Sequence, residues 1–342
     1  METQARAQGK TPIWNVEWVT LGLIAGCYLF WLLSIFWLAS LVPVLAFFCT
    51  MLLVAFHSSL THEALHGHPF RSRALNETLM ALPLSIFIPY NRFRDLHLAH
   101  HRDSNLTDPY DDPETNYLDP AVWTRLPRWV KRVLKLNNTL LGRILLGPAL
   151  SQVVFLREEW RGAIRGDRAI WLAWALHLPG VAVVITIVLA SATPLWAYFL
   201  AVYGGIGILK IRTFLEHRAH DRARARTVII EDRGPLAFLF LNNNLHVVHH
   251  MNPTDPWYRL PTTYRENKER YLSVNDGYVS EVGKAVVANS SWMLLLKQSG
   301  EEIQKLRKME TLGGGEPVIK LLETIRTKTP DPTVTDEAFS EV

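Results

Sequence analysis

The sequence predicts an all-α integral membrane protein, with four transmembrane helices in two hairpins and a helical cytoplasmic cap. Two observations carry this. Residues 18–60 contain no Asp, Glu, Lys or Arg over 43 positions, and residues 169–209 repeat the gap over 41, although charged residues make up 20% of the chain. The chain also has 13 histidines, most of them clustered in the charged segments that follow the two gaps. Mean hydropathy is only +0.06, so the average hides the partition. These gaps exclude a simple soluble domain and a single tail anchor.

A helix needs about 20 apolar residues to cross roughly 30 Å of hydrocarbon. Each window is therefore two crossings, and each has a turn signal near its middle, Ser40-Leu41-Val42-Pro43 and Ser191-Ala192-Thr193-Pro194. Proline is tolerated at a helix start and breaks an interior. The expected spans are about 18–39, 43–60, 169–190 and 194–211, within one unit of residues 17–300. Residues 1–16 read as a polar leader without signal-peptide character. Residues 301–342 read as a partly disordered tail broken at Gly313-Gly314-Gly315.

Orientation follows from Lys and Arg in the flanks. Arg6 and Lys10 precede the first hairpin, fifteen cations lie between 61 and 168, nineteen follow 209, and the hairpin tips have none. Both termini and the whole histidine-bearing cap are thus expected in the cytoplasm, at the inner membrane if the source is bacterial. Leu79–Ile88 is apolar but too short to span, and reads as a buried core piece or a re-entrant segment. Residues 121–165 mix basic residues with Leu, Val and Trp, as helices on the inner membrane surface or ordinary amphipathic core helices do. Cys27 and Cys49 both fall inside the first hairpin, which excludes a disulfide framework.

His62 and His66 lie in His-Glu-Ala-Leu-His. His97, His100 and His101 form H-x-x-H-H, and His246, His249 and His250 form a second. His217 and His220 lie in Glu-His-Arg-Ala-His. Positions i, i+3 and i+4 share a helix face, so each triplet is expected to aim three imidazoles in one direction. Imidazole binds iron, zinc, copper and nickel well, and eight or more converging rings suit two metals. His62 and His217 each follow the end of an apolar run by six residues, so both returning helices can deliver histidine to the cytoplasmic mouth. His57 reads as supporting or structural, and His177 as an intramembrane helix-helix hydrogen bond.

His62-Glu63-Ala64-Leu65-His66 is also H-E-x-x-H, the zinc-hydrolase pattern with Glu as general base. A membrane zinc hydrolase at 62–66 is therefore an alternative, although it leaves both H-x-x-H-H triplets unexplained.

These boxes resemble those of the membrane fatty acid desaturase superfamily: HEALHGH (62–68), HLAHH (97–101) and HVVHH (246–250). The stretches HRDSNLTDPYDDPE (101–114) and HHMNPTDPWYRLP (249–261) resemble the segments after its second and third boxes. The resemblance covers about residues 18–270. It implies a non-haem di-iron centre, O2 as co-substrate, and oxidation of an unactivated C–H bond in a fatty acyl or other lipid substrate. The implied ligands are His62, His66, His97, His100, His101, His217, His246, His249 and His250, with no catalytic residue beyond them. Glu63, Asp95, Asp103, Glu216, Asn242 with the two asparagines after it (242–244), His68 and His220 are candidate neighbours that orient ligands. The three-residue spacing of the first box is that of acyl-lipid and carotenoid members. No fused haem domain is visible, so a separate electron donor, a ferredoxin or a reductase chain, is expected on the basic face; no nucleic-acid partner is. Desaturation of a fatty acyl chain is the expected reaction. The alternatives are hydroxylation and decarboxylation to a terminal alkene.

Overall fold

The computed structural model describes residues 16–115, 117–218, 220 and 222–280. The expected C-terminal tail and all of the leader except Val16 lie outside them. The described residues are mostly helical. Five helices are long and apolar enough to cross a membrane: α1 (Trp18–Leu41), α2 (Pro43–Leu65), α7 (Leu140–Ile164), α8 (Arg168–Leu189) and α9 (Leu195–Leu215). Pro43 opens α2 and Pro194 caps the start of α9, which explains the two sharp turns. Between α2 and α7 run α3 (Arg73–Leu79), α4 (Tyr90–Arg102), α5 (Pro120–Arg125) and α6 (Arg128–Asn137). After α9 come α10 (Pro235–Leu239), α11 (His246–Met251), α12 (Leu260–Glu266) and α13 (Lys268–Val274). A two-stranded parallel ladder, β1 (Ile229–Ile230) with β2 (Val279–Ser280), ties the end of the cap to its middle.

The fifth long helix departs from the expected four. Its apolar run was hidden by Arg143, which interrupts the pattern but is buried, donating to the Asn137 carbonyl and to Asn138 Oδ1, both at 3.1 Å. Both ends of α7 sit near the same end of the bundle. Leu140 packs on Phe214 and Leu215 at the close of α9. At its far end, Glu159 takes Arg92 Nε of α4 at 2.8 Å and Trp174 Nε1 of α8 at 3.0 Å.

Close packing aligns the helices that bear the site. A Cβ on Gly205 of α9 would lie 2.7 Å from the Met51 carbonyl oxygen of α2, and one on Gly207 would lie 2.7 Å from that of Ile144 in α7. Glycine lets these backbones approach. Ser34 of α1 meets Thr50 of α2 through hydroxyls 3.0 Å apart. The outer surfaces carry exposed Trp37, Leu41, Val44, Leu178, Trp196 and Leu200, the pattern of helices whose solvent is lipid.

The apolar segment after α3 is an irregular wedge inside the bundle. Leu84 is fully buried. Its carbonyls are satisfied by side chains, as a buried irregular backbone requires. Tyr28 donates to Leu82 at 3.1 Å, Tyr198 to Leu84 at 2.8 Å, and His177 to Ile86 at 3.0 Å. His177 thus bonds this wedge rather than a neighbouring helix. His57 is structural too, with Nε2 3.0 Å from the Tyr28 hydroxyl.

Candidate metal centre

Four short stretches of chain bring nine imidazoles together. α2 ends with His62 and is capped by His66, α4 carries His97, His100 and His101, and α11 carries His246, His249 and His250. His217 follows the end of α9. They fall into two groups, His62, His66, His97, His101 and His249 in one, and His100, His217, His246 and His250 in the other. Within each group, one nitrogen per ring lies within 4.8 Å of the others.

The triplets do not each point one way, as the spacing alone predicts. His97 and His101 face the first group while His100 faces the second, and His246 and His250 face the second while His249 faces the first. Helix geometry explains the split. At roughly 100° per residue, i+4 lies about 40° to one side of i, and i+3 about 60° to the other. A triplet seated between two centres therefore gives its i and i+4 rings to one and its i+3 ring to the other. The groups abut at His101 and His250, whose rings stack with centroids 4.2 Å apart.

Nε2 atoms converge within each group. His101 lies 3.0 Å from His97 and 3.1 Å from His249; His217 lies 3.0 Å from both His100 and His246; His250 lies 3.1 Å from His246. With metal–nitrogen bonds of about 2.1 Å, an octahedral edge is about 3.0 Å and a tetrahedral edge about 3.4 Å.

The opposite faces of three rings are anchored. His97 Nδ1 lies 3.1 Å from both oxygens of Glu114, His100 Nδ1 2.7 Å from Asp112 Oδ1, and His246 Nδ1 3.2 Å from Asn243 Oδ1. An acceptor at Nδ1 fixes the proton there and leaves Nε2 as a lone pair. His100 and His246 therefore turn lone pairs toward the same His217, an arrangement that a cation satisfies. The Nε2 atoms of His62 and His66 are buried without a hydrogen-bond partner among the described residues. The donor set fits a pair of metal ions.

Burial holds the imidazoles of His246, His249 and His250 well below the ordinary pKa, and neighbouring imidazoles add to the effect. Burial likewise takes His217 down to about 3. These rings are neutral, as ligands must be. His100 differs: burial opposes its charge, but the bond to Asp112 and nearby carboxylates raise its pKa. Burial alone would raise Asp112, yet His100 and the backbone N–H groups of Thr107 and Glu114 bring it down.

Of the expected orienting residues, Glu63 and Glu216 stand near ligand rings, with an oxygen 3.9 Å from Nδ1 of His62 and of His246 respectively, and the others are dispersed. Glu216 accepts from Asn243 at 2.6 Å and so stands one residue behind His246. Glu63 is buried and accepts the Trp257 N–H at 3.1 Å. Asn242 donates to the Trp257 carbonyl at 3.0 Å. Asp95 pairs with Arg94 at 2.7 Å, and Asp103 accepts the Asn105 N–H at 2.8 Å. His68 pairs with Glu17 at 2.5 Å, and His220 lies 3.4 Å from Asp276. Asp112 and Glu114, which hydrogen-bond ligand rings, are absent from the expected set, whereas Asn243 is the member of the expected run 242–244 that does so. The first two lie in the acidic run after the second box, and Asn243 lies three residues before the third.

Residues 35–281 match the family model described as "Fatty acid desaturase". The chain belongs to this family. It is 32% identical over 215 residues to a protein named "Beta-carotene ketolase" from Paracoccus sp. (strain N81106 / MBIC 01143), covering 60% of this chain and 72% of that one. A second "Beta-carotene ketolase", from Paracoccus sp. (strain PC1), is 28% identical over 267 residues, covering 72% of this chain and 92% of that one. Membership marks an oxidoreductase of the desaturase and hydroxylase type and leaves the reaction open.

Proposed function

We propose that this membrane protein is an O2-dependent di-iron oxidoreductase that removes hydrogen from a saturated fatty chain and leaves a double bond. The observation that supports it best is the division of nine histidines into a group of five and a group of four, meeting at His101 and His250. The proposed ligands are those nine residues. Two irons held there supply O2 activation and attack on an unactivated C–H bond. The chain's own part is to fix the rings through Glu114, Asp112 and Asn243, and to keep the centre buried. A group of five nitrogens exceeds the four of a tetrahedral zinc site, which favours iron. A zinc hydrolase built on His62 and His66 would need about three protein ligands, whereas these two rings share their group with three more.

We further propose that α1, α2, α8 and α9 cross the membrane while α7 dips into one leaflet, since one of its ends packs at the close of α9 and the other near the start of α8. With the Lys- and Arg-rich segments on the inner side, the metal centre faces the cytoplasm and takes its electrons from a separate donor there.

The two ketolase relatives favour a second reading, oxygen insertion into a carotenoid-like hydrocarbon. Mass spectrometry after aerobic expression with an electron donor separates the outcomes. Desaturation removes two mass units, hydroxylation adds sixteen, ketone formation adds fourteen, and decarboxylation yields a hydrocarbon one carbon shorter. A product two mass units lighter supports the first reading; an oxygenated carotenoid with untouched fatty chains overturns it.

A further inference from the structure

A pocket opens between the end of α9 and α10, with apolar walls of Ile211, Leu215, Ile230, Leu236 and Phe240, and it reaches the ligand-group residue His246. Arg212 also lines it. This arginine is 8% exposed, and its Nη1 is buried without a hydrogen-bond partner among the described residues. Its Nε lies 3.0 Å from Glu216 Oε1, but that same oxygen also accepts the Asn243 amide at 2.6 Å. Asp232, the other acid on the wall, accepts the Gly234 N–H at 2.9 Å. The pocket's carboxylates thus already have donors, while its guanidinium has an edge to spare.

Glu216 balances the charge of Arg212, but a buried N–H left without an acceptor is still costly. Guanidinium suits carboxylate, since its planar fork matches two oxygens. A pocket with apolar walls and a few convergent polar groups, here Arg212, Glu216, Asp232 and His246, is the usual form of a small-ligand site.

Building on the fatty-chain reading above, we propose that Arg212 receives the head group of the substrate, and that this substrate is a free fatty acid rather than a neutral ester or hydrocarbon. The carboxylate seats on Nη1, the chain lies along Leu215, Leu236 and Phe240, and the carbons nearest the head group lie nearest His246.

The test is binding, measured on full-length, chelator-stripped protein in detergent with radiolabelled laurate, competed by unlabelled laurate, methyl laurate or β-carotene. Laurate is expected to compete at least about tenfold better than methyl laurate, the scale of one charge-assisted hydrogen bond. R212Q should abolish that preference and R212K restore part of it. If R212Q does not fold, L236W fills the pocket without touching the charge and should abolish laurate binding. Equal competition by laurate and methyl laurate, or wild-type laurate binding in R212Q or L236W, overturns the proposal. The two readings fail separately: laurate that binds through Arg212 without being oxidised sinks only the proposed activity, whereas equal oxidation and binding of laurate and its methyl ester sinks only the head-group site.

Discussion

His100 Nδ1 lies 2.7 Å from Asp112 Oδ1, with both side chains almost wholly buried. Asp112 is itself fixed, its Oδ2 accepting the Thr107 N–H at 2.8 Å and its Oδ1 the Glu114 N–H at 2.9 Å. One carboxylate therefore sets the tautomer of a ring in the four-histidine group and shapes the loop that presents Glu114 to the five-histidine group. Asp112→Asn should weaken metal binding by about 10–100-fold, the usual cost of losing such a partner. Iron retained after dialysis against a graded chelator measures it; wild-type retention would show that the contact orients nothing of consequence.

Replacing a ligand should do more. His100→Ala leaves three nitrogens in its group and His249→Ala leaves four in the other. Both should abolish turnover while the protein stays in the membrane fraction. Iron per chain is expected to fall from about two to about one in His100→Ala. Full activity in either variant removes that residue from the ligand set.

Acid should destabilise the metal-free protein. His217, His246, His249 and His250 have folded pKa values below the ordinary 6.5, with burial the first cause. Below 6.5 the unfolded chain binds protons that the folded one refuses, so stability falls as pH falls. The His100–Asp112 pair runs partly against this. Its His100 contribution is complete below 6.5 and lost as pH rises through the raised value; its Asp112 contribution is lost as pH falls through the depressed one. His66 and His101 are lowered as well and His68 is raised, so the lowered rings outnumber the raised ones and the net slope is positive. Thermal unfolding of stripped protein between pH 5 and 8 checks this, and a Tm that rises on acidification would contradict it.

Gly205 tests the packing that places the site. Gly205→Ala puts a methyl against the Met51 backbone and Val54, so α9 and α2 must separate. The expected cost is about 1–3 kcal/mol, with reduced iron content, because these helices lead to His217 and to His62 and His66. An unchanged unfolding midpoint would mean the helices give way freely.

Topology mapping tests the shallow placement of α7. Tags at 41 and 193 should be external, and tags at 120 and 342 cytoplasmic. Tags after Asn138 and at Gly166, just outside the two ends of α7, should report the same side. Opposite sides would make α7 a fifth crossing.

Long-range charge depletion and histidine spacing are properties of the chain itself, and they reveal a helical membrane protein with metal-binding potential before any fold is known. The apolar runs had to be helices because no other single segment satisfies its own backbone in lipid. The residues after the second box were quoted for their resemblance, yet Asp112 and Glu114 went unassigned, because nothing in a linear acidic run says which carboxylate turns inward. The three consecutive asparagines at 242–244 are legible as a candidate run before the third box, but only the fold shows that Asn243 is the one that turns to His246.

What the sequence determined by itself was the inventory: nine clustered imidazoles, the helices that end in them, and the apolar surface around those helices. What only the tertiary structure decided was the sorting. Whether His100 joins His97 or His217 depends on where two centres lie relative to the axis of α4, and that position is set by helices more than a hundred residues apart in the chain. The same holds for Arg212, an ordinary cation near a helix end until α10 folds over it and leaves its guanidinium buried beside a pocket. Spacing along one helix fixes angles about its axis, and only packing between helices gives those angles a target.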